Sequence, residues 1–438
     1  MDVSAFKGYR YDDSVVGDAA NCVAPPYDVI DADEQEILHA RSEYNIVRVI
    51  KGISKASDSE SDNIYTRAAG ELEAYARRGA IKQDDSERIY VYAQDFEIGG
   101  KSYRRAGFVG LGKLEEYGGS VKPHEQTMVG PKADRLYLMR ATRSQIGQIF
   151  VLYSDPAGAI DFILAQAAQA EPLLKHTDGD GVVHQLYAVT DPEEIQTIVE
   201  VMKDKQICIA DGHHRYETAL NYYRETKNPA AAYRMMTFVN THNEGLIVLP
   251  THRLVKNIID FRYPEFLRQM KKYFDVARLS FEDESGKEKR YQEMTEGLAL
   301  EMESGNHAFG MYFADGVFYL ATLRDVAMMR EIAADHSETW RQLDVAILHK
   351  LILEKMLGID EAALTAQTNV EYIKDFGTAT QRAVERVDAQ EAQALFFLNS
   401  TRAQEVEAVA ATGETMPQKS TFFYPKIFSG LVMNILES

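Results

Sequence analysis

An α+β fold in two parts is what this sequence predicts, and three stretches carry that expectation. Gln206 to Tyr216 runs from an apolar strand through Asp-Gly into a helical pattern. Arg88–Phe96 and Tyr103–Leu114 alternate at strand period on either side of Gly99-Gly100, which is the pattern of a β-hairpin. Near residue 255 the composition shifts, so a first domain over 1–255 and a second over 256–438 are expected.

Taken in order, the first twenty or so residues are polar and turn-like. The two prolines of Val23-Ala24-Pro25-Pro26-Tyr27-Asp28-Val29-Ile30 then stiffen the chain, because each fixes its own φ and steers its predecessor away from helix. Tyr27 and Asp28 follow that stiff stretch, so they are either held for function or form a structural entry into the domain. Asp31–Arg41 reads as a helix, Tyr44–Ile50 as a strand that would place Asn45 and Arg48, and Ser54–Asp62 as a polar loop. A helix from Tyr65 to Arg78 precedes the hairpin.

Pro123-His124-Glu125-Gln126-Thr127 sets a carboxylate beside an imidazole on a proline-stiffened loop, where Glu125 could orient or deprotonate a hydroxyl. A lone Glu is more often a solvated charge. If Lys132–Phe150 is helical, Lys132, Arg135 and Arg143 fall within about 80° of one another at roughly 100° per residue. They line an anion pocket or lay their stems over Leu136 and Met139. Ile149–Tyr153 and Val182–Val189 read as strands and Asp191–Lys203 as a helix. Asp178-Gly179-Asp180-Gly181 lacks the further ligands of an EF-hand loop.

The central stretch is the most informative. Ile207–Ala210 suits a buried strand, Asp211 could cap the helix that follows, and Gly212 leaves room for a ligand. Tyr216, Ala219, Leu220 and Tyr223 recur at helical spacing, which puts His213, His214 and Arg215 in the first turn. Unpaired N–H groups and the positive end of the helix dipole favour an anion there. Cations normally favour the opposite end, so three donor side chains at this end point to a phosphate or carboxylate more than to an ordinary turn. Met235–Asn240 and Leu246–Leu249 are further strands. Pro250-Thr251-His252-Arg253 puts another His-Arg pair at a strand end.

Beyond the expected boundary, Phe261–Phe274, Ser285–Glu303 and Leu343–Leu357 read as helices. A hairpin turns at Asp315-Gly316, and Ala394–Asn399 is a core strand. The segment from Met416 to Lys426 joins two lysines, hydroxyls and an aromatic run. It either folds back onto a site through Lys419, Ser420 and Thr421 or plugs the core.

Composition narrows the function classes. The chain carries 48 Lys plus Arg against 67 Asp plus Glu, a net charge of −19, so nucleic acid and anionic membrane are not expected partners. Any anion it takes should be small and held in a preformed pocket. The two cysteines, Cys22 and Cys208, suggest neither a disulfide framework nor a zinc finger, and with no secretory or membrane-spanning pattern a cytoplasmic protein is expected. Gly110 and Gly112 do not complete a dinucleotide fingerprint, and neither a Walker-A sequence nor a protein-kinase catalytic loop is present. Oligomeric state is not encoded legibly.

Almost end to end, the chain resembles a prokaryotic family known as domain of unknown function 1015. The resemblance lies in Ala24–Ile30, Pro123–Thr127, Gly130–Leu136, Asp211–Tyr216, Pro250–Leu254 and Met416–Thr421. Asp211-Gly212-His213-His214-Arg215 is also similar to the phosphate-binding loop of the ParB/sulfiredoxin-like superfamily, some members of which are free serine kinases. That resemblance implies a ParB/sulfiredoxin-like mixed-sheet core within about residues 20–255, elaborated by the hairpin, and a second α/β region whose last segment returns to the site. It implies Glu125 as base and Asp211, His213, His214 and Arg215 as phosphate handlers. Lys132, Arg135, Arg143, His252 and Arg253 would support them, and Asp211 would orient a histidine or hold Mg²⁺ with a donor that is ATP, ADP or pyrophosphate. The expected activity is phosphoryl transfer to a small hydroxyl metabolite, free L-serine giving O-phospho-L-serine. The alternatives are a non-catalytic sensor of a phosphorylated metabolite and a nucleotide-switched, ParB-like interaction module.

Overall fold

The structure, a computed structural model, describes residues 1–125 and 129–436. Gln126 and Thr127 of the His-Glu motif lie outside the described residues. The chain forms two compact units. The first comprises Met1–Pro123, Thr127–Ile247 and Pro425–Ser438, and the second His124–Gln126 and Val248–Tyr424. The division thus falls at Ile247 rather than near residue 255. The reason is that Thr251–Val255 is a strand hydrogen-bonded on both sides inside the second unit's sheet, to Val370–Lys374 and to Ala394–Phe397.

The first unit is built on a nine-stranded mixed sheet. Its order is Val121–Lys122, Ile207–Asp211, Ile149–Tyr153, Tyr233–Asn240, Lys101–Lys113, Ile89–Ile98, Val183–Val189, Leu174–Thr177, with Val3–Ser4 added against Lys101–Lys113. Ile207–Asp211 runs parallel to Val121–Lys122, and Tyr233–Asn240 parallel to Ile149–Tyr153, while the remaining pairs are antiparallel. The hairpin pairs from Tyr90↔Val109 out to Ile98↔Lys101. Gly99 and Gly100 turn it with φ of 58° and 77°, angles that match the twist of the flanking strands and that glycine takes without strain.

Helices Val129–Thr142 and His213–Thr226 contribute Met139, Tyr216, Ala219 and Leu220 to the same core as Val91, Val151 and Ile209 of the sheet. Phe108 and Phe238 stack there with centroids 4.5 Å apart and no exposure. Burial of each such ring contributes about 1.5–3 kcal/mol.

Two segments differ from the sequence reading. Tyr44–Ile50 is not a strand: Val47–Ile50 is one helical turn. Asn45 competes for the backbone by accepting from the Val47 N–H and donating to the Asn21 and Val23 carbonyls, so it brackets the chain. Arg48 donates to the His39 and Ser42 carbonyls in the same bracket. The helix expected through Phe150 stops at Thr142, because Arg143 takes a left-handed φ of 47° and Ser144–Gln145 then pairs with Asn434–Ile435.

The second unit holds a six-stranded sheet in the order Phe274–Ser280, Val317–Leu323, Ala308–Tyr312, Ala394–Phe397, Thr251–Val255, Val370–Lys374. Every pairing is antiparallel, so this region too is α+β rather than an alternating α/β unit. Glu284–Glu303 and Ala379–Asp388 pack Met294, Leu298, Ala383, Val384 and Val387 against it. The helix expected over Leu343–Leu357 begins as Asp344–Ile347 and continues as a π-helix over Leu348–Met356. Among the described residues no helix is long and apolar enough to cross a membrane.

Candidate functional site

In the first unit the strand Ile207–Asp211 delivers Asp211 to the edge of the core, and the helix His213–Thr226 starts two residues later. Gly212 occupies the N-cap position at φ 99°, and a Cβ there would lie 3.1 Å from Nε of Arg215. Glycine is therefore needed twice, for the backbone angle and for the close approach of the guanidinium. His213 is buried, and His214 and Arg215 are half-buried in the first helical turn. The helix begins where the sequence puts it, so all three residues lie in its first turn, and of them Arg215 lines a cavity of this unit.

Asp211 does not cap the helix. Its carboxylate accepts from Nζ of Lys426 at 2.7 Å and faces Arg215 at 3.6 Å. Burial alone would raise its pKa. Lys426, through its charge and its hydrogen bond, then Arg215 and His213 outweigh that burial and hold the carboxyl well below the usual range. Asp211 is thus an ionised anchor for two cations at the mouth of an anion-favouring helix end.

Lys426 is held from behind. Arg105, 1% exposed, donates to the Pro425 carbonyl and to Oε1 of Gln94, and Nε2 of Gln94 donates to the Lys426 carbonyl at 2.9 Å. The N–H of Phe428 reaches the Tyr92 hydroxyl at 3.3 Å. The hairpin face therefore grips residues 425–428 by their backbone and leaves the Lys426 side chain to meet Asp211. We expect Lys426→Met to lower stability by about 1.5–3 kcal/mol, the worth of a charged hydrogen bond that is partly buried. A denaturant midpoint equal to wild type would show that Arg215 alone suffices for Asp211.

Also in this unit, Tyr27, Arg135 and Arg215 line one cavity. The Arg135 guanidinium stacks 3.9 Å over the Tyr27 ring and donates to the Ile50 carbonyl at 2.9 Å. The Tyr27 loop is tied down by Nζ of Lys51, which donates to the Tyr27 carbonyl at 3.1 Å. Asp28 lies exposed in the turn and is not among the cavity's lining residues. Lys132 is paired with Glu217 at 2.7 Å on the neighbouring helix. Arg143 sits past the helix end with its side chain exposed, so the face it was expected to share with Lys132 and Arg135 does not form.

In the second unit Glu125 pairs with Met416 as an isolated parallel bridge, and its Oε1 accepts the Lys419 N–H at 3.2 Å. His124, 1% exposed, faces the Thr421 hydroxyl at 3.0 Å, and its carbonyl accepts the Met416 N–H at 2.7 Å. Ser420 folds its hydroxyl onto the Pro417 carbonyl. Arg253 is buried, contacts Nε2 of His349 at 3.2–3.3 Å and donates to the Lys419 carbonyl at 3.2 Å. Burial pushes its pKa down to about 10. His252 accepts from the Leu398 N–H at 3.3 Å and stands 3.7 Å from Asp375. Arg253 thus holds the loop that presents the Lys419 N–H to Glu125, Thr421 meets His124 rather than Glu125, and His252 is engaged with Leu398 and Asp375.

The residues do not fit a protein-built Mg²⁺ site at Asp211. Both its oxygens face cations, and no group of three His, Cys, Asp or Glu able to hold a metal occurs among the described residues. The sequence marks Lys426 only as one of two lysines in a segment that folds back or plugs the core; its pairing with Asp211 escaped, because a lysine after proline in an aromatic tail carries no sign of the buried acid it meets. The one available signal was the density of lysines in that tail.

A family model described as protein of unknown function (DUF1015) matches residues 3–346. Among solved structures, a free serine kinase in complex with AMP is similar at 14% identity and TM-score 0.34, covering 72% of this chain and 88% of that one. A mutant free serine kinase in complex with ADP matches at 13% identity and TM-score 0.35, with coverage of 72% and 89%. A conserved hypothetical protein from Pyrococcus furiosus matches at 15% identity and TM-score 0.32, with coverage of 70% and 90%. No curated protein matches.

Proposed function

The chain belongs to the family described as protein of unknown function (DUF1015), and from that premise we propose that it is a phosphotransferase acting on a small hydroxyl metabolite, with free L-serine giving O-phospho-L-serine as the leading substrate. The observation that carries this reading is the Asp211–Arg215 turn. A glycine N-cap opens a helix whose first turn bears two imidazoles and a guanidinium, and an ionised aspartate anchors the cations around it. Phosphoryl transfer needs positioning and charge neutralisation more than covalent help from the protein, which is what such a turn supplies.

In this reading His213, His214 and Arg215 bind the oxygens of the transferred group. Asp211 and Lys426 act through Arg215 and His213 as positioning residues. Glu125 is assigned as base on the resemblance of the Pro123–Thr127 motif alone, taking the proton of the attacking hydroxyl as the hydroxyl oxygen bonds to phosphorus and the donor's bridging oxygen departs. A nucleotide, ATP or ADP, or pyrophosphate serves as donor. Phosphorus NMR of the full chain with Mg²⁺, serine and each donor in turn tests the reading. A new phosphomonoester signal is expected with one donor. Thermal stabilisation by O-phospho-L-serine with no turnover under any donor would replace the enzyme by a sensor.

A further inference from the structure

A cavity of about 60 Å³ in the first unit has among its lining residues Tyr27, Arg135, Gly147, Arg215, Arg234 and Ser429. Three guanidinium groups reach it, and two of them have carboxylate partners. Arg135 contacts Asp134 at 2.5–2.7 Å, and Arg215 faces Asp211 at 3.6 Å. Arg234 is different. It is 5% exposed, it donates through Nη2 to the Gly147 carbonyl at 2.5 Å, and its Nε–H has no hydrogen-bond partner among the described residues.

The position explains the burial. Arg234 lies on Tyr233–Asn240, an interior strand flanked by Ile149–Tyr153 and Lys101–Lys113, with apolar neighbours along it. Burial, then the like charge of Arg215, draws its pKa down to about 9. A guanidinium kept there without an opposing charge is disfavoured unless an anion meets it. The consecutive carbonyls of Gly147 and Gln148 each take one N–H, from Arg234 and Arg215 respectively, which sets the two forks side by side. Gly147 keeps the gap open, since a Cβ there would lie 3.3 Å from the Ser429 hydroxyl and 3.4 Å from Arg215.

We propose that Arg234, together with Arg215, binds one compact oxyanion in this cavity, a phosphate or carboxylate group, with the planar forks contacting it in pairs. The inference rests on the phosphotransferase reading only for the molecule to which that anion belongs. It adds a binding residue that the helix-end site lacks, and it places the guanidinium most in need of a counter-charge where a substrate or donor group would supply one.

Calorimetry of the full chain at fixed ionic strength, titrating inorganic phosphate and separately L-serine, tests it. One probe should bind saturably at one site, phosphate naming a phosphoryl group and serine a carboxylate. Its affinity should fall about tenfold or more in Arg234→Met. Binding of neither probe by the wild type, or unchanged affinity in a folded Arg234→Met protein, overturns the proposal. Should Arg234→Met fail to fold, Gly147→Ala keeps every arginine and narrows the gap. Weakened binding of the same probe then supports the site, and unchanged affinity overturns it. Arg234-dependent binding without phosphomonoester formation would retain this site and remove the enzyme. Turnover with Arg234-independent binding would do the reverse.

Discussion

Glu125→Gln is expected to bind substrate and donor with wild-type affinity and to turn them over about 10²–10⁴-fold more slowly, the range a positioned general base contributes. The substitution is conservative for the fold. The native carboxylate accepts the Lys419 N–H through Oε1 at 3.2 Å, and a glutamine carbonyl can accept the same hydrogen bond. The bridge to Met416 is made by backbone and is unaffected. What glutamine cannot do is take a proton. Thermal melting and calorimetric binding should therefore match wild type while initial rates by phosphorus NMR collapse. Equal rates would remove Glu125 as base. Equally reduced binding and rate would make it a substrate ligand instead.

Much of the fold was legible because local chemistry and tertiary packing agree over long stretches. The Gly99-Gly100 hairpin, the helix capped by Asp31 and the strand-turn-helix around Gly212 each follow from residue type and period. Failures cluster where a polar side chain redirects the backbone. Asn45 turns an apolar run into a helical turn, and Arg143 ends a helix in a conformation that few residues other than glycine adopt. Within the candidate site, the motif of adjacent imidazoles and guanidinium declared itself, because cations at a helix start contradict the dipole. Partnerships across long separations did not. Lys426 meets Asp211 over 215 residues, and Arg234 meets the Gly147 carbonyl over 87, and nothing local in the chain announces either. The arginine within Tyr233-Arg234-Met235-Met236 was still a visible clue, since a charge inside an apolar strand needs a specific reason.

Acid should loosen this protein well before its carboxylates are protonated, and the cause is a pair of buried imidazoles in the first unit. His184 is sandwiched between the Tyr92 hydroxyl, 2.6 Å from Nδ1, and Asp178, 3.0 Å from Nε2, with Phe428 packed at 4.0 Å between ring centroids. Burial pushes its pKa down against the pull of Asp178. His176 lies 5.7 Å from the same Phe428 ring, and its Nε2 has no partner among the described residues. Burial first, then the charges of His184 and Arg41, lower its pKa from 6.5 to about 4. A histidine whose pKa is lower when folded binds its proton more readily in the unfolded chain, so acid favours unfolding. Its stabilisation is complete above pH 6.5 and is lost progressively as the pH falls toward 4. For His176 alone the loss amounts to about 1–2 kcal/mol, since solvent still screens part of the ring. His184 adds to it with the same sign, as does the buried His349 of the second unit. Because Phe428 belongs to the segment that carries Lys426, protonation should also free Lys426 from Asp211, and anion binding should weaken over the same window. Denaturant midpoints measured from neutral to mildly acidic pH should decline in wild type and decline less in His176→Phe, which replaces the unpartnered ring by an apolar one. An identical decline in both would clear His176 of the effect.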